Sequence, residues 1–138
     1  FSKCSSRQVG AVLVQDGAIC SQGFNGSPRG ISLCQDRSNM CRRREMGFGS
    51  GQGLELCPTI HAEQNCIIQA ARLGVVTSGG TMYCYCGRPC KCCMGAIINA
   101  GIKRLVYLEV EQEYDELSGE LLAASGIEVC RIPECDVP

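Results

Sequence analysis

Residues 81–101, TMYCYCGRPCKCCMGAIINAG, decide the fold. Thr81 to Cys86 reads as a short strand, TMYCYC. Pro89 suits the first turn of a helix, where its missing N–H costs nothing. Cys93, Ala96, Ile97 and Ala100 then recur on one helical face, and Gly101 is a natural stop. Arg104 to Leu108 follows as another strand. A strand, a helix and a further strand in succession form a crossover unit, which places the two strands parallel.

Upstream of this unit, Thr59 is positioned to cap a helix. Ala62, Cys66, Ile67, Ala70 and Leu73 recur at spacings of three and four, and Gly74 ends the run. Val9 to Val14 and Ala18 to Phe24 read as strands joined by the turn signal Asp16-Gly17. Downstream, Tyr114 to Ser125 is a helix stopped by Gly126, and Ile127 to Ile132 is a last strand. The order ββαβαβαβ predicts an α/β class: a three-layer α/β/α domain with a mixed sheet of about five strands. Residues 1–138 form one domain, with an irregular Cys/Gly-rich insertion at about 31–58. So long a stretch without periodicity is functional, held by a metal, or mobile.

Composition narrows the classes. The chain has 138 residues, 45% of them apolar, enough for a hydrophobic core. The net charge of -1 supplies no basic field, so a polynucleotide partner is not expected. No apolar run reaches the roughly eighteen residues of a membrane span. Phe1 in place of Met implies trimming, and no secretory signal is visible, so a cytoplasmic location is expected. The 13 cysteines are an odd number in a chain well supplied with helix and strand patterns. Zinc in a reducing compartment explains them better than a disulfide framework.

His61-Ala62-Glu63 stands at a loop-to-helix junction, and His61 is the only histidine. Cys90 and Cys93 have C-x-x-C spacing at another helix start, where the helix N-terminus favours thiolates. His61, Cys90 and Cys93 together make three zinc ligands. A catalytic zinc keeps three protein ligands and leaves the fourth position to water, whose pKa it lowers. Glu63 sits too close to His61 to be a comfortable fourth ligand and is placed to move protons. Each half of the pattern is weak alone; H-x-E followed by P-C-x-x-C, each opening a helix, is the signature of zinc nucleobase deaminases.

The match extends beyond that signature. RQVGAVLVQDG (7–17), GFNGSPRG (23–30), HAEQNCIIQAARLGV (61–75), GTMYCYCGRPCKCC (80–93) and AIINAGIKRLVY (96–107) resemble the cytidine and deoxycytidylate deaminase superfamily. The likeness is to its deoxycytidylate branch, including the competence-operon deaminase-like proteins. The resemblance implies hydrolysis of dCMP to dUMP and ammonia, supplying thymidylate synthesis. It implies His61, Cys90 and Cys93 as zinc ligands and Glu63 as the shuttle that protonates N3 while water adds at C4. It implies Asn25 as a nucleoside contact, with the Ala62 backbone and the Pro89 carbonyl reading the pyrimidine edge. It also implies a homo-oligomer, often a hexamer, activated by dCTP and inhibited by dTTP. Phe24 replaces the tyrosine commoner in the regulatory motif. Arg88 departs from the small or apolar residue usual before Pro-Cys; it and Arg29 are candidate phosphate ligands, and a solvated role for Arg88 is the alternative. The run Arg42-Arg43-Arg44 reads as a solvated face or subunit contact.

Cys4 and Cys34 fall where related phage enzymes place two ligands of a structural zinc, completed there by histidines absent here. Cys41 and Cys57 are the available replacements, giving a second, closed all-cysteine zinc. Cys20, Cys66, Cys84, Cys86 and Cys130 read as small core residues and Cys92 as packing, while Cys135 lies in the tail. The competing functions are deamination of another substrate (dCTP, cytidine, or adenosine in tRNA) and a non-catalytic zinc-stabilised binding module. The binding module leaves Glu63 unexplained.

Overall fold

The computed structural model describes all residues except 1, 3, 32, 35–40, 112, 114 and 134–138. Tyr114, expected at a helix start, and Cys135 therefore lie outside the described residues. The strands are β1 (Gly10–Gln15), β2 (Ala18–Phe24), β3 (Thr81–Cys84), β4 (Arg104–Glu109) and β5 (Glu128–Pro133). The helices are α1 (Arg42–Glu45), α2 (Ala62–Leu73), α3 (Lys91–Asn99) and α4 (Glu116–Ser125), with a 3-10 turn at Leu54–Leu56. One five-stranded sheet runs in the order β2-β1-β3-β4-β5. β1 pairs antiparallel with β2 and β3, and the pairs β3–β4 and β4–β5 are parallel. The α/β class and the mixed five-stranded sheet are as the sequence predicts.

Alternation builds the core. Ala11 and Leu13 of β1 and Met82 and Cys84 of β3 are buried, while the residues between them, Val12 and Tyr83, are half-buried or exposed. Met94 and Ile97 of α3, Leu105 and Tyr107 of β4 and Leu122 of α4 complete the same cluster. Each such large apolar side chain contributes about 1.5–3 kcal/mol relative to its exposed state.

α2 lies closest to the sheet at β2. A Cβ on Gly23 would fall on the Ala62 carbonyl oxygen and the Cys66 amide nitrogen. The buried Ser21 hydroxyl donates to the Cys66 carbonyl at 2.7 Å. The missing side chain at Gly23 thus lets backbone approach backbone and sets how α2 presents its first turn. α2 also packs on α3, and α3 on α4.

Candidate active site

Two helix starts and a strand end make the site. The cap of α2 is His61 itself, not Thr59; the Thr59 hydroxyl contacts the Cys57 thiol at 2.9 Å. The N-cap residues themselves, His61 for α2 and Cys90 for α3, spend no side-chain hydrogen bond on capping, so the imidazole and the thiol are left to each other. Gly26 and Ile60 form an isolated bridge that fixes the approach to His61.

His61 Nδ1 lies 3.5 Å from Cys90 Sγ and 3.2 Å from Cys93 Sγ, and the three ligand atoms fall within 4.8 Å of one another. A tetrahedral zinc with Zn–N near 2.0–2.1 Å and Zn–S near 2.3 Å spaces neighbouring N and S ligands by about 3.6 Å. The donor set and its spacing therefore fit zinc, with one position left open. His61 is exposed and Cys93 buried, so the group spans the site from surface to floor. The Cys90 thiol is pulled down to about 4, first by its hydrogen bond with Cys93 and then by His61 against the opposing effect of burial. Cys93 is pushed up by the same hydrogen bond and by burial. His61 is raised by its hydrogen bond to Cys90.

Glu63, only 4% exposed, lies on the first turn of α2. The Cys86 thiol approaches its Oε1 at 3.7 Å. Glu63, Cys84 and Cys86 offer three ligand atoms within 4.8 Å of one another, all three residues buried. Cys84 and Cys86 are buried as expected, but their place beside Glu63 is a finding. Their C-x-C spacing at a strand end was the available signal, since residues two apart on a strand share a face. Cys92, expected to pack, is exposed, and Cys20 and Cys130 are only partly buried.

α4 holds the second helix start in place. Asp115 Oδ2 accepts from the Lys91 N–H at 2.6 Å and Oδ1 from the Ser118 N–H at 3.1 Å, so one carboxylate caps α3 and α4 together. The buried Ser118 hydroxyl donates to the Pro89 carbonyl. Arg88 pairs with Glu113, donates to the Asp115 carbonyl at 2.7 Å and lies against Gly119. Its guanidinium is thus engaged within the α3–α4 clamp. Arg29, the other expected phosphate ligand, is exposed and donates to the neutral Gln69 side chain at 2.7 Å. Asn25 faces inward: Oδ1 accepts from the Ser2 hydroxyl and the Val9 N–H, and Nδ2 donates to the Arg7 carbonyl at 2.7 Å. Ala62 is fully buried at the start of α2.

The cysteines of the irregular stretch gather around the loop at Asn25–Ser27. Cys4 hydrogen-bonds Ser2, which is bonded to Asn25. Cys57 neighbours the segment that bridges Gly26. The Cys34 thiol is pushed up by burial and then by Cys57, with Cys41 and Cys4 adding to the rise and Ser27 opposing it. Among the described residues, the groups with all ligand atoms within 4.8 Å are His61–Cys90–Cys93 and Glu63–Cys84–Cys86. The four loop cysteines are neighbours without forming a closed cage.

Comparison with known proteins follows the same lines. The chain is 34% identical over 129 residues to the deoxycytidylate deaminase of Schizosaccharomyces pombe, covering 93% of this chain and 38% of that one. It is 34% identical over 161 aligned positions to the deoxycytidylate deaminase of Enterobacteria phage T4, covering 96% of this chain and 83% of that one. The chain thus spans well under half of the yeast protein but most of the phage protein. The dCMP deaminase of cyanophage S-TIM5, solved with dCMP and dUMP, superposes with a TM-score of 0.70 at 26% identity, covering 94% of this chain and 84% of that one. The family described as the cytidine and deoxycytidylate deaminase zinc-binding region matches residues 1–109. That span takes in both helix starts and four of the five strands. On this evidence of sequence and shape together, the chain belongs to the cytidine and deoxycytidylate deaminase family.

Proposed function

We propose that this chain hydrolyses dCMP to dUMP and ammonia, with His61, Cys90 and Cys93 as zinc ligands and Glu63 as the proton carrier. The convergence of His61 Nδ1 on two thiols, with a buried carboxylate two residues on, carries the reading. Zinc held there would supply Lewis-acid activation of a water. Glu63 accepts a proton from the attacking water, delivers it to ring nitrogen N3 and assists departure of the exocyclic amine as ammonia. The N–H groups opening α2 at Ala62 would receive the pyrimidine carbonyl oxygen, whereas the Pro89 carbonyl shares its lone pairs with Ser118. Arg29 is the better phosphate candidate, because Arg88 is already neutralised by Glu113. Asn25 holds the loop on which Arg29 stands, and its remaining N–H is what it has to offer a sugar hydroxyl.

The substrate level rests on the names of the relatives and on the ligands of the cyanophage enzyme. A deamination screen of dCMP, dCTP, CMP and deoxycytidine, each with and without dCTP and dTTP as effectors, tests it. The expected result is fastest turnover of dCMP, with dCTP raising and dTTP lowering the rate. Faster turnover of another cytosine compound overturns the dCMP assignment. A second, closed zinc on Cys4, Cys34, Cys41 and Cys57 completes the reading. Four soft donors around one loop suit zinc, and the metal would draw them into a cage and pin a stretch with little regular structure.

A further inference from the structure

We propose that Glu63, Cys84 and Cys86 form a second site for a thiophilic divalent cation, and that a metal bound there inhibits the enzyme by occupying Glu63. The inhibition half rests on the proton-carrier reading of Glu63; the site itself rests on geometry. The three ligand atoms lie within 4.8 Å of one another, and Cys86 Sγ stands 3.7 Å from Glu63 Oε1. Two ligands of one tetrahedral zinc, sulfur and oxygen, stand about 3.5 Å apart, so the Cys86–Glu63 pair is already near ligand spacing and Cys84 lies within 4.8 Å of both. All three residues are at most 9% exposed, which favours a cation that sheds water readily and prefers sulfur, such as Zn²⁺ or Cd²⁺, over Mg²⁺ or Ca²⁺.

Charge permits the occupancy. A divalent ion held by His61 and the thiolates of Cys90 and Cys93 is formally neutral, so it does not repel a neighbour. The second site supplies one carboxylate and two thiols. On binding, both S–H bonds break, two protons leave to solvent, and two metal–sulfur bonds and one metal–oxygen bond form. The carboxylate that carries the proton is then a ligand, so metal occupancy and turnover exclude one another. Cys84 ends β3 and Cys86 lies two residues beyond it, both buried, and α2 brings Glu63 against Cys86. Replacing either cysteine by a hydroxyl of similar size removes the soft donor while leaving the strand intact.

The test titrates the zinc-loaded full chain with Cd²⁺ and reads three quantities: the ultraviolet thiolate-to-cadmium band, the zinc retained, and turnover relative to each protein's own cadmium-free rate. The expected result for the unaltered protein is uptake of one cadmium per chain more than Cys84→Ser takes up, with zinc retained and turnover falling at least about tenfold in step with the band. In Cys84→Ser, apparent cadmium affinity should drop by more than the roughly 10- to 100-fold that loss of an outer-shell partner costs, and inhibition should fade with it. Equal cadmium uptake by the two proteins overturns the site. Uptake that depends on Cys84 but leaves turnover unchanged overturns the antagonism. Should the protein deaminate none of the cytosine compounds, the band and the stoichiometry still decide whether the site exists, separately from the function.

Discussion

Residues 60–109 and residues 25–59 place their cysteines in opposite ways. In the first region every cysteine sits on or beside a regular element: Cys66 in α2, Cys84 and Cys86 at β3, Cys90, Cys92 and Cys93 at α3. In the second, Cys34 belongs to no element, Cys41 precedes a four-residue helix and Cys57 ends a single 3-10 turn. A helix that short has no stability of its own. The first region therefore holds its thiols on regular elements, whereas the described cysteines of the second lie outside or at the edge of short ones, where the proposed second zinc would add stability.

The sharpest way to break this contrast is to remove a ligand from each region. Cys93→Ala should abolish metal at the His61 site and reduce turnover to background, while the fold survives with a modest fall in melting temperature. Zinc analysis, ammonia release and a thermal melt check this; unfolding of the variant would show that the region leans on its metal after all. Gly23→Ala strikes the scaffold instead. Its new methyl meets backbone atoms of Ala62 and Cys66, and the overpacking should cost at least about 1–3 kcal/mol. Because α2 is displaced, His61 and Glu63 move too, so turnover should fall alongside stability. A variant as stable and active as the parent would show that β2 and α2 separate freely.

Cys57→Ser should act on the other region. The expected outcome is loss of one zinc per chain and faster proteolysis within residues 41–57, with turnover changed much less than in Cys93→Ala. One zinc per chain in the parent, with no spectral change in the variant, would refute the second zinc. The smallest effect belongs to Asp115, which joins the two regular helices. Asp115→Ala should cost about 1 kcal/mol, the usual worth of a cap. The Lys91 and Ser118 N–H groups depress the Asp115 pKa below 3.8. A depressed carboxyl stabilises the fold above its unfolded pKa and loses that contribution as pH falls through the folded value. The gap between parent and variant melts should therefore close in strong acid and stay constant near neutrality.

The same contrast explains what the sequence reveals. The strands and helices carrying the metal motif are legible because burial repeats at two and at three to four residues, as with Ala11 and Leu13 or Cys66 and Ala70. The H-x-E and C-x-x-C halves are each local and legible; that they meet across 29 residues is carried by the combined signature. Long-range contacts leave weaker traces. Nothing local shows that Asp115 caps α3 as well as α4, that Ser118 occupies the Pro89 carbonyl, or that Arg88 closes on Glu113. Cys84 and Cys86 read as ordinary core residues until α2 sets Glu63 against them. The inward turn of Asn25 is likewise a product of the N-terminal segment folding over it.

In the proposed reaction Glu63 moves the proton at a metal site it does not itself build. The most direct test compares the parent with Glu63→Ala for both zinc content and ammonia release from dCMP. Zinc content should be the same in the two proteins and turnover lower by about 10²–10⁴-fold in the variant, the usual share of general acid–base catalysis. Turnover retained in Glu63→Ala, or zinc lost from the His61 site along with turnover, would contradict it.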